Sequence, residues 1–248
     1  TQLKKQDKMI LERERAINEA DKERIRANLL RAISHDLRTP LTSIIGSSDS
    51  FIENYQNLTD PEKQSLVSSI NEDSHWLLNM VENLLSVTRI QDDNGTVKKE
   101  DEVVEEVVSE AIIRLKRRLP DIEIHVSAPE DVLIIPMDPL LIEQVLMNLM
   151  ENAFVHSESD RPIDLRITEN PDTVTFHIID YGKGIDEQTI PLILKGEYTA
   201  PRTSDTHRGM GIGLSICNTI VQAHGGKIAA HNHADGAEFL FTLPKGDT

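Results

Sequence analysis

Cysteine occurs once, at Cys217, so no internal disulfide can form; the thiol suits the cytosol and lies in an apolar helical pattern that reads as core rather than catalyst. No run approaches about 18 apolar residues and no signal-peptide pattern is present, so the segment is expected to be soluble. Basic residues are few, 26 against 42 acidic, and a formal charge of −16 argues against a general nucleic-acid or anionic-membrane binder. Repeats and low-complexity tracts are absent. The chain also lacks an initiating methionine and begins inside a helical pattern, which suggests a fragment of a longer protein. Its 248 residues suffice for one large or two modest domains.

The first 27 residues are dense in Lys, Glu and Arg, with Leu3, Ile10 and Ile17 seven apart. That fits either an entering coiled-coil segment or a solvated helix with i,i+4 charge pairs. The pattern continues without a Gly or Pro break into a helix whose apolar stripe is Leu30, Ile33, Leu37, Leu41, Ile44, Phe51 and Tyr55. His35 falls opposite that stripe, with Arg38 and Thr39 on the same outward face, and Pro40 should bend the helix just beyond it. An exposed neutral imidazole is a nucleophile near pH 7, and Asp36 can orient the ring or accept its proton. A lone histidine of this kind is also an ordinary surface residue.

The helix should end near Asn57, and a second should start with Asp60 as N-cap and Pro61 at the first position. Its stripe is Leu66, Ile70, Leu77, Met80, Leu84 and Val87, with Asp73 the polar exception. An antiparallel hairpin with so narrow a seam cannot bury both faces, so two copies should pair into a four-helix bundle. Asn94-Gly95 marks a hinge. Beyond it a helix is expected over 102–119, with strands at 123–126, 132–135, 163–167, 174–178 and 239–243 and helices at 139–156 and 213–223, an α+β sandwich with helices on one face.

Three clusters there carry chemistry. Gln144, Asn148 and Asn152 recur every four residues, an amide column that can ligate a hydrated divalent cation and position phosphates, or simply face solvent. Asp180-Tyr181-Gly182-Lys183-Gly184-Ile185 follows a strand; its carboxylate can accept the exocyclic amine of adenine, although a plain turn has the same form. Gly209-Met210-Gly211-Ile212-Gly213-Leu214 opens a helix and directs N–H groups at anions, and a polar loop rather than a strand precedes it, so it is no dinucleotide fingerprint. His224-Gly225-Gly226 reads as a helix C-cap.

The octapeptide Ser34-His35-Asp36-Leu37-Arg38-Thr39-Pro40-Leu41 resembles the phosphoacceptor box of the sensor histidine kinases of two-component signalling. Asn148-Leu149-Met150-Glu151-Asn152-Ala153 is similar to their N box, and the two glycine clusters to their glycine boxes, in family order across residues 28 to 244. Asp36 and Thr42 are similar to the potassium-responsive members. The resemblance implies an entering helix over 1–27, an all-α dimerisation and phosphotransfer domain over 28–93, and an α+β ATP-binding domain of the Bergerat (GHKL) type over 94–248. It implies His35, Asp36 and Thr39 as catalytic, Thr39 by orienting a water for phosphatase action. Nucleotide binding falls to Asn148, Asn152, His156, Asp180, Gly182, Gly184, Arg208, Gly209, Gly211, Gly213 and Leu214, with Asn152 as Mg²⁺ ligand and a mobile lid between Lys195 and Arg208. ATP and Mg²⁺, a homodimer, a response-regulator aspartate as acceptor and a cytoplasmic portion of a membrane-bound sensor complete the expectation; nucleic acid has no place in it.

Two departures stand out. Val155 occupies the position of a phosphate-binding lysine, a loss of roughly 1.5–3 kcal/mol for which Arg202, Arg208 or Lys183 would have to substitute. Aliphatic Ile190-Pro191-Leu192-Ile193-Leu194-Lys195 replaces the phenylalanine-rich box. Two rival readings follow: a degenerate kinase acting as phosphatase or scaffold, and a GHKL-type ATPase using Glu143 or Glu151 as hydrolytic base.

Overall fold

The computed structural model describes residues 37–92, 97–195 and 212–246. His35, Asp36, Arg208, Gly209 and Gly211, the segment 1–27, the Asn94-Gly95 hinge and most of the expected lid lie outside the described residues. The chain divides into two compact units, 1–81 and 82–248.

The first unit is a helical hairpin of α1 (37–54) and α2 (Asp60–Asp92, which continues past the unit boundary). Helix α1 continues through Pro40, which is buried. Its last turn closes as the Asn57 and Leu58 N–H groups donate to Asn54 O. At this end Phe51 and Tyr55 pack edge to face at 5.3 Å, and the Lys63 ammonium sits 4.5 Å from the Tyr55 ring centroid. The start of α2 differs from expectation. Thr59, not Asp60, is the cap: its N–H and hydroxyl both donate to the Glu62 carboxylate, at 2.8 and 2.7 Å, and its carbonyl accepts the Lys63 N–H. Glu62 three residues on decides between two acceptable caps.

The stripes are only partly covered within one chain. Leu37, Ile44, Phe51, Leu66, Ile70 and Leu77 are half-buried and Met80 is buried, while Leu41, Ile45, Ile52, Tyr55, Val67 and Leu78 are about half exposed or more. The side chains of Leu84 and Val87 lie outside the described ones.

The second unit is a five-stranded sheet in the order β2-β4-β5-β7-β6, one face of which is covered by helices. Its strands are β2 (Ile124–Ser127), β4 (Ile163–Glu169), β5 (Thr173–Ile179), β6 (Lys227–His233) and β7 (Gly236–Pro244). Among the described residues only the β2–β4 pair of this sheet is parallel. A separate pair, β1 (Glu100–Val103) with β3 (Ile134–Met137), leads into α3 (Val104–Arg118) and α4 (Pro139–Ser157). Short α5 (Ile190–Lys195) and α6 (Ile212–Ala223) are its remaining described elements. Strands β1 and β6 are additions to the sequence reading, and β2 and β3 are shifted by one and two residues.

Alternation along the central strands turns Leu165, Ile167, Val174, Phe176, Ile178, Phe239 and Phe241 into the helix-covered face. Phe176 and Phe241 are cross-strand partners whose rings stack at 4.6 Å. Helix α4 lies between α3, α6 and the sheet, which explains why it is buried on most sides. Asp138 caps it by accepting the Leu141 N–H at 3.1 Å, with Pro139 at the first helical position.

At the other end of α6, His224-Gly225-Gly226 is the expected C-cap: the Gly225 and Gly226 N–H groups donate to Gln222 and Val221 carbonyls. The buried His224 ring does more. Its Nε2 accepts the Asp138 N–H at 3.0 Å, which forces the proton onto Nδ1, 2.8 Å from Ile220 O. Burial holds this imidazole below its usual pKa. A depressed histidine contributes stability fully above its unfolded pKa, about 6.5, and loses it as pH falls toward the lower folded value. The melting temperature should therefore drop between pH 7 and 5, and drop less in His224→Gln; equal losses in thermal melts would count against this role.

Candidate functional site

The site is built around α4. Asn148, Asn152 and His156 follow at four-residue steps along one helical face. Asn148 is buried and accepts from Gln144 Nε2 at 3.1 Å, on the side where the Cys217 sulfur of α6 meets Val145 O at 3.9 Å. Burial pushes the Cys217 thiol up to about 12, so it is core and not a nucleophile. The half-buried Asn152 side chain makes no hydrogen bond to the described residues, which leaves its amide oxygen available to a hydrated cation. His156 at the helix end is held below its usual pKa by loss of hydration and by the neighbouring Lys183 charge.

Asp180 leaves the end of β5 and is buried. Its Oδ1 accepts N–H groups from Gly182 at 3.1 Å and Ala237 at 3.3 Å, and its own N–H donates to Ala237 O. Oδ2 accepts nothing from the described residues, so one carboxylate oxygen is held by backbone and the other stays free for an amine donor. Burial raises its pKa, against the opposing pull of those two N–H groups and of His233 and His156. Asp180 and His156 thus lie close enough to feel each other's charge, which brings the end of α4 and the loop after β5 together.

Gly182 has a role the sequence did not reveal. A Cβ there would stand 2.3 Å from Ser157 O and 2.4 Å from Ser157 Cα, so the loop is seated directly on the backbone of the last α4 turn. Gly184 has φ +74°, a conformation that favours glycine. Tyr181 is held from outside: its hydroxyl donates to Asp164, and the Arg161 guanidinium lies 3.6 Å from its ring centroid.

At the start of α6, expected from sequence to carry the third cluster, Leu214 is buried and Gly213 half-buried. A Cβ on Gly213 would meet nothing within 4 Å. Gly213→Ala should therefore leave stability in thermal melts unchanged or raise it, by no more than about 1 kcal/mol of helix propensity, while weakening nucleotide binding. Unchanged titration by ATP would remove this glycine from the site. Thr39 belongs to the first unit and is exposed on α1.

The two glutamates proposed as hydrolytic bases face elsewhere. Glu143 pairs with Arg114 at 3.0 Å and Glu151 with Arg118, both arginines on α3. Val155 is half-buried, and Lys183 pairs with Glu158 at 2.6 Å.

Comparison with known proteins covers both units. Residues 25–93 match the family described as the His Kinase A (phospho-acceptor) domain. Residues 137–247 match the histidine kinase-, DNA gyrase B- and HSP90-like ATPase family. The sensor protein KdpD of Clostridium acetobutylicum is 45% identical over 94% of this chain and 26% of its own length. KdpD of Escherichia coli is 34% identical over the same shares. The chain thus spans about a quarter of these relatives. Histidine kinase ThkA, solved in complex with the response regulator protein TrrA, shares the fold with a TM-score of 0.64 at 23% identity, covering 88% of this chain and 61% of that one.

Proposed function

Because the chain belongs to the sensor histidine kinases, we propose that it moves the γ-phosphoryl group of ATP onto His35 and from there to an aspartate of a response regulator. The observation that carries the nucleotide half is Asp180: a buried carboxylate with one oxygen held by two backbone N–H groups and the other free, beside the amide column of α4. Residues 94–248 form the ATP-binding domain in this reading, with the ligands named from sequence. Residues 28–93 form the dimerisation and phosphotransfer domain. A second copy covers the half-exposed Leu41, Ile45, Ile52, Val67 and Leu78.

In the transfer, a ring nitrogen of His35 forms the bond to phosphorus as the bond to the departing ADP oxygen breaks, and Asp36 takes the ring proton. Mg²⁺, when bound, neutralises phosphate charge, and the free Asn152 oxygen is the group that would hold it. Thr39, exposed on α1 and four positions after His35 in sequence, orients a water in this reading for the opposing phosphatase reaction on the response regulator. Among the described residues no helix is long and apolar enough to cross a membrane. We read the chain as the cytoplasmic portion of a membrane-bound sensor.

The ion pairs of Glu143 and Glu151 with α3 weigh against a GHKL-type ATPase. Val155 supports the scaffold alternative, which predicts no ATP binding. Incubation with γ-labelled ATP tests the whole reading: the label should reside on protein, be released by acid and survive base. Steady phosphate release without labelled protein would refute it.

A further inference from the structure

The β6–β7 hairpin does more than extend the sheet. Asn232, exposed on β6, accepts the Ile185 N–H at 2.8 Å and donates through Nδ2 to Ile185 O at 2.6 Å. One carboxamide thus satisfies both backbone groups of a single residue, which among side chains only an amide can do in this way. Its Oδ1 would lie 2.9 Å from a Cβ on Gly184, closer than such contacts come. His233, next along, accepts the Asp235 N–H at Nδ1 and therefore donates from Nε2 to Asp180 O at 2.9 Å. Gly236 completes the cradle, since a Cβ there would lie 2.2 Å from the same carbonyl. The segment from Asp180 to Ile185 has no regular secondary structure, so its path is set by these side-chain and close-backbone contacts.

We infer that Asn232 is a positioning residue for nucleotide recognition, fixing the Gly184-Ile185 turn and through it the loop that aims Asp180 at the base. The inference rests on the nucleotide-binding reading above. An exposed side chain with two hydrogen bonds to a loop contributes little to global stability, so its loss acts on the loop before the fold. A structural brace and a positioning residue therefore separate in the measurements.

In titrations with ATP and with GTP, Asn232→Ala should weaken ATP binding about tenfold, equivalent to about 1.4 kcal/mol, and narrow the preference for ATP over GTP. The melting temperature without nucleotide should change by only about 2 °C. In an Asp180→Ala background the same substitution should add little, because Asn232 acts through the loop that carries Asp180. Unchanged ATP affinity, a large melting loss with affinity intact, or full additivity with Asp180→Ala would each overturn the assignment. If the parent chain binds no adenine nucleotide, the functional reading falls and this one with it; parent binding with an unaffected Asn232→Ala sinks this one alone.

Discussion

A chain carrying glutamine at position 35 should take up no acid-labile label from γ-labelled ATP, a loss of about a thousandfold or more, while binding the nucleotide as the parent does. The amide keeps polarity and approximate size but offers no nucleophilic ring nitrogen. The separation of effects follows from the architecture: His35 belongs to the first compact unit, whereas the carboxylate, amides and glycines assigned to the nucleotide belong to the second. Label persisting at another residue would contradict the assignment of His35, and lost ATP affinity would contradict the division of labour.

The second large effect is expected from Gly182→Ala. The added methyl would have to occupy space 2.3 Å from Ser157 O, 2.4 Å from Ser157 Cα and 2.7 Å from Ser157 C, all backbone atoms of a helix packed between α3, α6 and the sheet. No rotamer change relieves such a contact, so the loop must lift. Lifting it breaks the Gly182 N–H bond to Asp180 and moves the carboxylate itself. A destabilisation of about 1–3 kcal/mol or more follows from overpacking, with ATP affinity reduced on the order of a hundredfold. Thermal melts and ATP titration check both; a variant that melts and binds like the parent would mean the loop does not rest on α4.

Some of this was legible before any coordinates. Helix α4 announced itself through Pro139 at its start and amides every four residues, and β4 and β7 through alternation, because one face of each is more buried than the other; β5 shows the same alternation in its residue types, with Thr175 buried as well. Strand β6 carries Lys-Ile-Ala-Ala-His-Asn-His at the edge of the sheet, where exposure blurs alternation, and acidic β1 pairs only with β3. Strand β6 therefore went unassigned, and the second half of β1 was read into the helix expected from 102, which starts at Val104.

In the site, the Asp-x-Gly-x-Gly pattern marked the right segment but not its supports. Ser157 lies 25 residues before Gly182, and Ala237 lies 57 after Asp180. Such partners follow from the β5–β7 register and the docking of α4, which local sequence does not encode. The pattern therefore gave no hint that Gly182 abuts the end of a helix.

The placement of β7 has a consequence for how this protein is made. The backbone that grips Asp180 comes from Ala237, 57 residues further along, in strand β7, which begins only at Gly236. A polypeptide leaving the ribosome has exposed α4 and Asp180 long before that strand is available, and its central β5–β7 ladder must wait for a distant partner. The Asp180 carboxylate thus gains its Ala237 partner only once that strand has been made.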